Sequence, residues 1–345
     1  MAFWRQIHHV SAKKAKNMNQ SSKKTAIAYA GIISVVFIWA IMPIFKKILI
    51  GGHVSASVYT AVTGFVSALA LLVLNRKQLK SLNAGYFKVA IPTGLCLGAA
   101  SLTQALAYNF NASPTNQAFL ENLSCLIVPI ILFIVNRKKP SMLTVSAAII
   151  CLLSSMVLSG VFGETASFAP ADILNAIAGL LYGVNIAFTG IYAKKFMASL
   201  YVMIQLFVKS VLSLLMAIAF NYITVGASPI DPIVFTFDPW LILSLIAIGI
   251  ISNSVCWTIR TSAMKYVSAS VVAVIMPFSA VITGIIAVIG GQDSPSWSLL
   301  IGAVLGIAAS LLSAYGDIRE QKNDEQKNSE LKVNVLKDGE LKDNE

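Results

Sequence analysis

Ala26-Ile-Ala-Tyr-Ala-Gly-Ile-Ile-Ser-Val-Val-Phe-Ile-Trp39-Ala-Ile-Met-Pro-Ile-Phe45 runs for twenty residues without a charge. At 1.5 Å rise per residue, a helix of this length crosses a hydrocarbon core about 30 Å thick. Stretches of the same kind recur near 56–74, 89–108, 115–135, 142–160, 172–192, 198–220, 240–259, 267–289 and 297–316, with short breaks between them. The 345 residues are 57% hydrophobic and 12% charged, with a mean hydropathy of +0.75. A soluble domain of that composition would have to hide too much apolar surface. The pattern predicts an all-α integral membrane protein with ten transmembrane helices. Basic residues precede the first stretch, but no polar cleavage region follows it and more spans come at once, so a removed signal peptide is not expected.

The basic residues set the expected orientation, because cytoplasmic loops collect Lys and Arg. Arg5, Lys13, Lys14, Lys16, Lys23 and Lys24 precede the first span, and Arg76, Lys77, Lys80 and Lys88 fill the second connection. Arg137, Lys138 and Lys139 follow in the fourth, Lys194 and Lys195 in the sixth, Arg260 and Lys265 in the eighth. The opposite connections offer only Lys46 and Lys47, beside Glu164, Asp172, Asp231, Asp238 and Asp293. Both termini are therefore expected in the cytoplasm, and the absence of an organellar address favours a cell (inner or plasma) membrane. The net charge of +11 is spread over thin loops rather than gathered on one face, which argues against nucleic acid as a partner. Cys96, Cys125, Cys151 and Cys256 lie within spans without ligand-like spacing, so no metal, cofactor or disulfide frame is indicated.

Residues 1–25 form a basic cytoplasmic tail. Phe3, Trp4, Ile7 and Val10 suit one face of a short interfacial helix, and a disordered tail that only enforces orientation is the alternative. Residues 317–345 mix charges with too few apolar groups to fold alone, which reads as a disordered cytoplasmic tail.

Ten spans divide into two sets of five, and an odd number makes the second set enter the membrane from the other side, as in inverted-repeat transporters. Ala105-Leu-Ala-Tyr108 runs into Ala112-Ser113 before the fourth span, and Ala263-Met-Lys-Tyr266 into Ala269-Ser270 at the start of the ninth. Each of those spans holds one proline, Pro129 or Pro277. Proline bends a membrane helix and frees a carbonyl, so these are candidate gating kinks.

With these echoes the chain resembles the drug/metabolite transporter superfamily, in its ten-helix EamA-type branch, with repeats at 26–160 and 172–316. The resemblance rests on Trp39 followed by Lys46 or Lys47, on the Ala-Leu-Ala-Tyr stretch leading to Pro129, and on Ala171-Asp172-Ile-Leu. It also rests on Ala-Met-Lys-Tyr-Val-Ser-Ala-Ser before Pro277 and on Gly291-Gln-Asp293 ahead of Ile301-Gly302-Ala303. The chain departs from the family in having Met276 where an acid often precedes the ninth-span proline, and Asp293 in place of a Gly-Glu pair. Thr60 and Thr63 occupy the stretch where an arginine is frequent. The resemblance implies a central cavity lined mainly by spans one, three, four, six, eight and nine, opening alternately to each side. It also implies small metabolites, amino acids, nucleotide-linked sugars or drugs as cargo, often exported.

Ionisable residues deep in a span cost on the order of 2.5 to 3.5 kcal/mol on insertion scales, so they should face a partner, water or a substrate. Glu121 and Lys209 qualify. Glu121 sits in Asn116-Gln117-Ala-Phe-Leu-Glu121-Asn122, with Gln117 one turn earlier on the same side. It is a candidate substrate or proton-coupling site with Gln117 and Asn122, and a structural carboxyl bridging helices is the alternative. Lys209 lies about 16 Å from each surface at helical rise. The resemblance puts its span outside the cavity, so a neighbouring-helix partner, a neutral amine, an ion pair with Glu121 or the interface of a homodimer stay open for it. Tyr182, Asn185, Thr189 and Tyr192 form one polar stripe on the sixth span. Asn253, Trp257 and Arg260 align on the eighth, and Gln104 and Tyr108 lie on the third. Trp39, Gln104, Asn185, Asn253 and Trp257 are the further substrate candidates, as an aromatic wall suited to a small zwitterion or organic cation. Interhelical hydrogen bonding with interfacial belts is the plainer reading, since Tyr108, Tyr192 and Arg260 lie near span ends.

No Gly-x-Ser-x-Gly, His-Glu-x-x-His or Gly-x-x-x-x-Gly-Lys-Ser/Thr motif occurs, which speaks against an enzyme or an ATP-driven pump. The expectation is a secondary transporter of small organic solutes in the lipid bilayer, coupled to protons or working by exchange. A nucleotide-sugar-like exchanger and a non-transporting scaffold or receptor are the alternatives.

Overall fold

A computed structural model of the chain describes residues 2–50, 52–137, 141–158, 169–225, 228–292, 297–298, 300–309, 311–313, 315–316, 319 and 323. Asp293 and most of the 317–345 tail lie outside the described residues, as do the side chains of 2–22 and of Asn122.

Seven described helices are long and apolar enough to cross a membrane: Lys23–Ile50, Ala56–Leu74, Ala84–Phe110, Pro170–Tyr192, Ala198–Tyr222, Pro239–Ala263 and Ala269–Ile289. They coincide with seven of the expected spans. The fourth is broken into α4 (Pro114–Leu120), a 3-10 turn (Glu121–Leu123) and α5 (Ser124–Asn136). The fifth and tenth appear as shorter apolar helices, Met142–Ser154 and Leu300–Ser313. The protein is membrane-embedded and multi-pass.

The first helix, α1 (Ala2–Ile50), carries the basic N-terminal stretch without interruption into the first span. It also continues past Phe45, where the hydropathy pattern had ended the span, and so takes Lys46 and Lys47 into the helix. The other long elements are α2 (Ala56–Leu74), α3 (Ala84–Leu106), α6 (Met142–Leu158), α7 (Pro170–Tyr192) and α8 (Ala198–Tyr222). The eighth span is α9 (Pro239–Ile248) and α10 (Cys256–Ala263), joined by a π-helical turn, Gly249–Val255. Pro277 divides the ninth into α11 (Ala269–Ile275) and α12 (Phe278–Ile289), whereas Pro129 sits inside α5.

Apolar side chains point outward and polar ones inward, as a bundle in lipid requires. On α1 the outward stripe is Ile33, Phe37, Ile41, Phe45 and Ile48; on α8 it is Phe207, Val211, Leu214, Leu215 and Ile218. Inside, hydroxyls reach carbonyls of neighbouring helices: Ser210 donates to Ala61 (2.8 Å), Ser67 to Gly249 (2.7 Å), Ser254 to Ser67 (3.0 Å) and Thr283 to Ala40 (2.7 Å).

Small residues let backbones meet. Gly94 and Gly98, one turn apart on α3, form a small-xxx-small pair against α8, where an added Cβ would sit 3.0 Å from Gln205 Cα and 3.1 Å from Lys209 Cα. Gly179 and Gly183 repeat the device on α7, where the fourth span docks. A Cβ on Gly179 would lie 2.4 Å from the Leu120 carbonyl oxygen and 3.0 Å from Glu121 Cα.

The loop after α8 returns to cap α2. A two-residue ladder, Thr224–Val225 against Ser228–Pro229, leads to Asp231, which is 1% exposed. Its carboxylate accepts from the backbone N–H groups of Ala56 (3.1 Å) and Ser57 (2.8 Å), from the Ser57 hydroxyl and from Asn109 Nδ2 (2.9 Å). A carboxylate at a helix N-terminus meets both the orphan N–H groups and the positive end of the dipole. Asp231, expected as an unneutralised loop acid, is thus a buried structural group. Asp231→Ala orphans these donors and is expected to lower stability by about 2–4 kcal/mol, read as a fall in the melting temperature of the purified protein. An unchanged melt would contradict the capping role.

Candidate functional site

A cavity of about 90 Å³ lies between the helices. It is lined from α1 by Trp39, Met42, Pro43 and Lys46, and from α3 by Ser101 and Gln104. The broken fourth span adds Gln117 and Glu121, and the eighth span adds Asn253, Trp257 and Arg260. The α2 hydroxyls Tyr59, Thr60 and Thr63 line it too, as does Lys209 of α8. Spans two and seven thus join the set that the resemblance had implied, and Lys209 is a cavity residue rather than a peripheral one. The reason is the close seat of α8 on Gly94 and Gly98, which brings its polar face against the cavity wall.

Glu121 sits in the 3-10 turn that interrupts the fourth span, eight residues before Pro129 in α5. Its Oε2 accepts from Gln104 Nε2 at 2.6 Å. Gln104 Oε1 in turn accepts from Lys46 Nζ, and from Tyr182 Oη at 3.3 Å; Tyr182 shares a further bond of 3.1 Å with Ser101. A carboxylate and an ammonium are thus held on opposite ends of one amide. The Lys209–Glu121 ion pair considered from the sequence is not formed, and Lys209 has no hydrogen-bond partner among the described residues although it is 5% exposed.

The second polar cluster surrounds Arg260. Its guanidinium stacks over Trp257, with Cζ 3.8 Å from the ring centroid, and faces Trp39 at 5.6 Å. The two rings lie 5.2 Å apart, and Trp39 Nε1 donates to the Ser252 carbonyl (3.1 Å) in the π-helical turn. Such a turn widens the helix and leaves backbone groups unpaired, often at functional sites; here it turns Asn253 and Trp257 toward the cavity. Arg260 lies one turn from the end of α10 and is 2% exposed, so it is an interior group rather than part of an interfacial belt.

Asn185 stands behind this cluster. Its Oδ1 accepts from Arg260 Nη2 (3.0 Å) and its Nδ2 donates to the Thr93 carbonyl (2.9 Å), which uses both ends of the amide and keeps it off the cavity wall. Thr93 also meets Tyr201 (2.8 Å) and Gln205 (2.9 Å). Asn185→Ala strips Arg260 of its only hydrogen-bonding side chain among the described residues. We expect about 1–3 kcal/mol lower stability in thermal melts; an unaltered melt would separate Asn185 from Arg260.

The structure therefore brings Trp39, Gln104, Gln117, Glu121, Lys209, Asn253 and Trp257 to one cavity and puts Asn185 in its support. Pro129 and Pro277 lie in the helices that frame it. Lys46 and Tyr59 line it as well without having been expected as cargo contacts, whereas Tyr182 and Arg260 belong to the polar stripes expected to face the cavity. The apolar Ile48-Leu-Ile50 after Lys47 was the available cue that α1 runs on past Lys46.

The family described as "EamA-like transporter family" matches residues 173–315. The chain carries an EamA-like transporter domain. This is consistent with membership of the drug/metabolite transporter superfamily, and it points to a membrane transporter of small solutes. The EamA-like domain spans α7 to the Leu300–Ser313 helix, and supplies Tyr182, Lys209, Asn253, Trp257 and Arg260 to the cavity. A solved structure described only as "Crystal structure of protein" is similar in fold, with a TM-score of 0.64 at 17% identity over 85% of this chain and 98% of that one. No curated protein matches significantly.

Proposed function

We propose that the chain is a secondary carrier of small organic solutes that works by alternating access and couples transport to protons through Glu121. The observation that carries this reading is the Glu121–Gln104–Lys46 chain at a cavity inside the bundle, formed where the fourth span is broken. A carboxyl that faces a cavity and is held by one neutral amide can exchange a proton without dismantling the fold. Protonation weakens its attraction for Lys46 and for Arg260, so proton binding and the arrangement of the cavity's cations are linked. The breaks at Glu121–Leu123, at Gly249–Val255 and at Met276–Pro277 give three framing spans a place to bend.

The ten-helix frame with two inverted repeats at 26–160 and 172–316 belongs to this proposal. So do cytoplasmic termini, a cell membrane location and export of metabolites or amino acids. The positive-inside pattern supports the orientation. The purified chain in proteoliposomes, offered a mixed pool of small solutes with and without a pH gradient, should accumulate one compound class in step with the gradient. Retention independent of the gradient would instead support exchange, and no retention would support a scaffold or receptor.

A further inference from the structure

Among the described residues the cavity is lined by three basic side chains, Lys46, Lys209 and Arg260, and by one carboxyl group, Glu121. Charges removed from water are tolerated when they are paired, and here the pairing is incomplete. Lys46 is held by Gln104, and Arg260 by Asn185 and two indoles. Lys209 has no hydrogen-bond partner among the described residues, and Lys46 lies close enough to repel it. Among the described residues two further donor groups in the lining are also unsatisfied: Arg260 Nε, and the Gln117 amide, whose Nε2 and Oε1 both lack partners although Gln117 is 1% exposed.

The same geometry weighs against a cationic cargo. Trp39 and Trp257 form the aromatic faces on which an organic cation would stack, and Arg260 already occupies them. A substrate cation would therefore have to displace a buried guanidinium beside two lysine side chains.

We propose that this cavity binds a small organic anion whose oxyanion group, a carboxylate or a phosphate ester, is received by Lys209, Arg260 and Gln117. The inference rests on the carrier reading for its purpose, but binding itself does not depend on transport. The cavity is small, about 90 Å³, which favours a compact ligand over a nucleotide-linked sugar in this conformation. The oxyanion completes the coordination of Lys209 and offsets the positive excess, and Glu121 remains free to carry the proton.

The test uses the purified full-length protein in detergent and in proteoliposomes. Melting temperature is measured against concentration series of succinate, glycerol phosphate, inorganic phosphate, alanine and tetramethylammonium, and uptake of the same probes is followed by mass spectrometry. Succinate or glycerol phosphate is expected to raise the melting temperature in a saturable way, and the arm that responds distinguishes carboxylate from phosphate chemistry. Lys209→Met should weaken that binding about ten- to a hundred-fold, the loss of one charge-assisted contact. Lys209→Met should fold, since no protein partner is lost, and so keeps the test decisive if Arg260→Gln does not fold. Saturable binding or uptake of alanine or tetramethylammonium in preference to the anions would overturn the proposal while leaving the carrier reading intact. Anion binding that Lys209→Met leaves unchanged would overturn the site. Anion binding without uptake of any probe would uphold the site and count against the carrier. Neither binding nor uptake of any probe would count against both.

Discussion

Glu121→Gln is expected to abolish proton-driven accumulation while leaving the protein folded and inserted. The replacement keeps an oxygen that accepts from Gln104 Nε2, so the contact now at 2.6 Å persists, but it removes the only carboxyl on the cavity wall among the described residues. One pH unit corresponds to 1.36 kcal/mol. A carrier moving one proton per solute therefore sustains about ten-fold accumulation across a one-unit gradient, and the variant should fall to about one-fold. Counterflow, which needs no net proton movement, should survive. The measurement is solute content of proteoliposomes with and without the gradient, beside a melt showing that the variant is folded. Accumulation retained in the variant would return Glu121 to a structural role.

Gly179→Ala is expected to act on the same site from behind. The α7 backbone meets the broken fourth span there so closely that a methyl group would stand 2.4 Å from the Leu120 oxygen. A backbone carbonyl cannot swing aside as a side chain tip can, so Leu120 and Glu121 must shift together. Overpacking of this kind costs about 1–3 kcal/mol, and the displaced carboxyl loses its aim at Gln104. Lower melting temperature and transport reduced about ten-fold or more, the loss of about one hydrogen bond to a charged group, are expected together. Unaltered transport would mean that the Gly179 contact does not fix the position of Glu121. The equivalent change at Gly183, which meets Ile127 and Ser124 instead, should lower stability with less effect on transport.

The helices were legible because spanning lipid needs long uncharged stretches, and seven of those marked from hydropathy are long described helices. Their ends were less legible. Lys46 was placed in a connection because the apolar run pauses at Lys46-Lys47, yet the helix continues to Ile50 and carries Lys46 to Gln104. Arg260 shares a face with Asn253 and Trp257 by its spacing, while its place near the end of its span left an interfacial position open; it lines the cavity with them. Lys209 was set outside the cavity by analogy, whereas its own sequence context, a buried charge one turn after Gln205, pointed inward. The Gly94/Gly98 and Gly179/Gly183 pairs, small-xxx-small spacings that the hydropathy pattern does not register, explain the close helix contacts. The Asp231 cap on α2 joins residues 174 apart in sequence, and no local pattern announces a contact of that range.

Alternating access makes the cavity reachable from each face of the membrane in turn, and that can be measured without knowing the cargo. In a background with Cys96, Cys125, Cys151 and Cys256 replaced by alanine, Thr60→Cys places one thiol on the cavity wall, where Thr60 bonds only to its own helix at Ala56. A membrane-impermeant thiol reagent applied to oriented vesicles from one side, and in a separate experiment from the other, should label that position from both. Labelling from one side alone, under conditions where thiols in the loops of the other face are labelled normally, would contradict the carrier account.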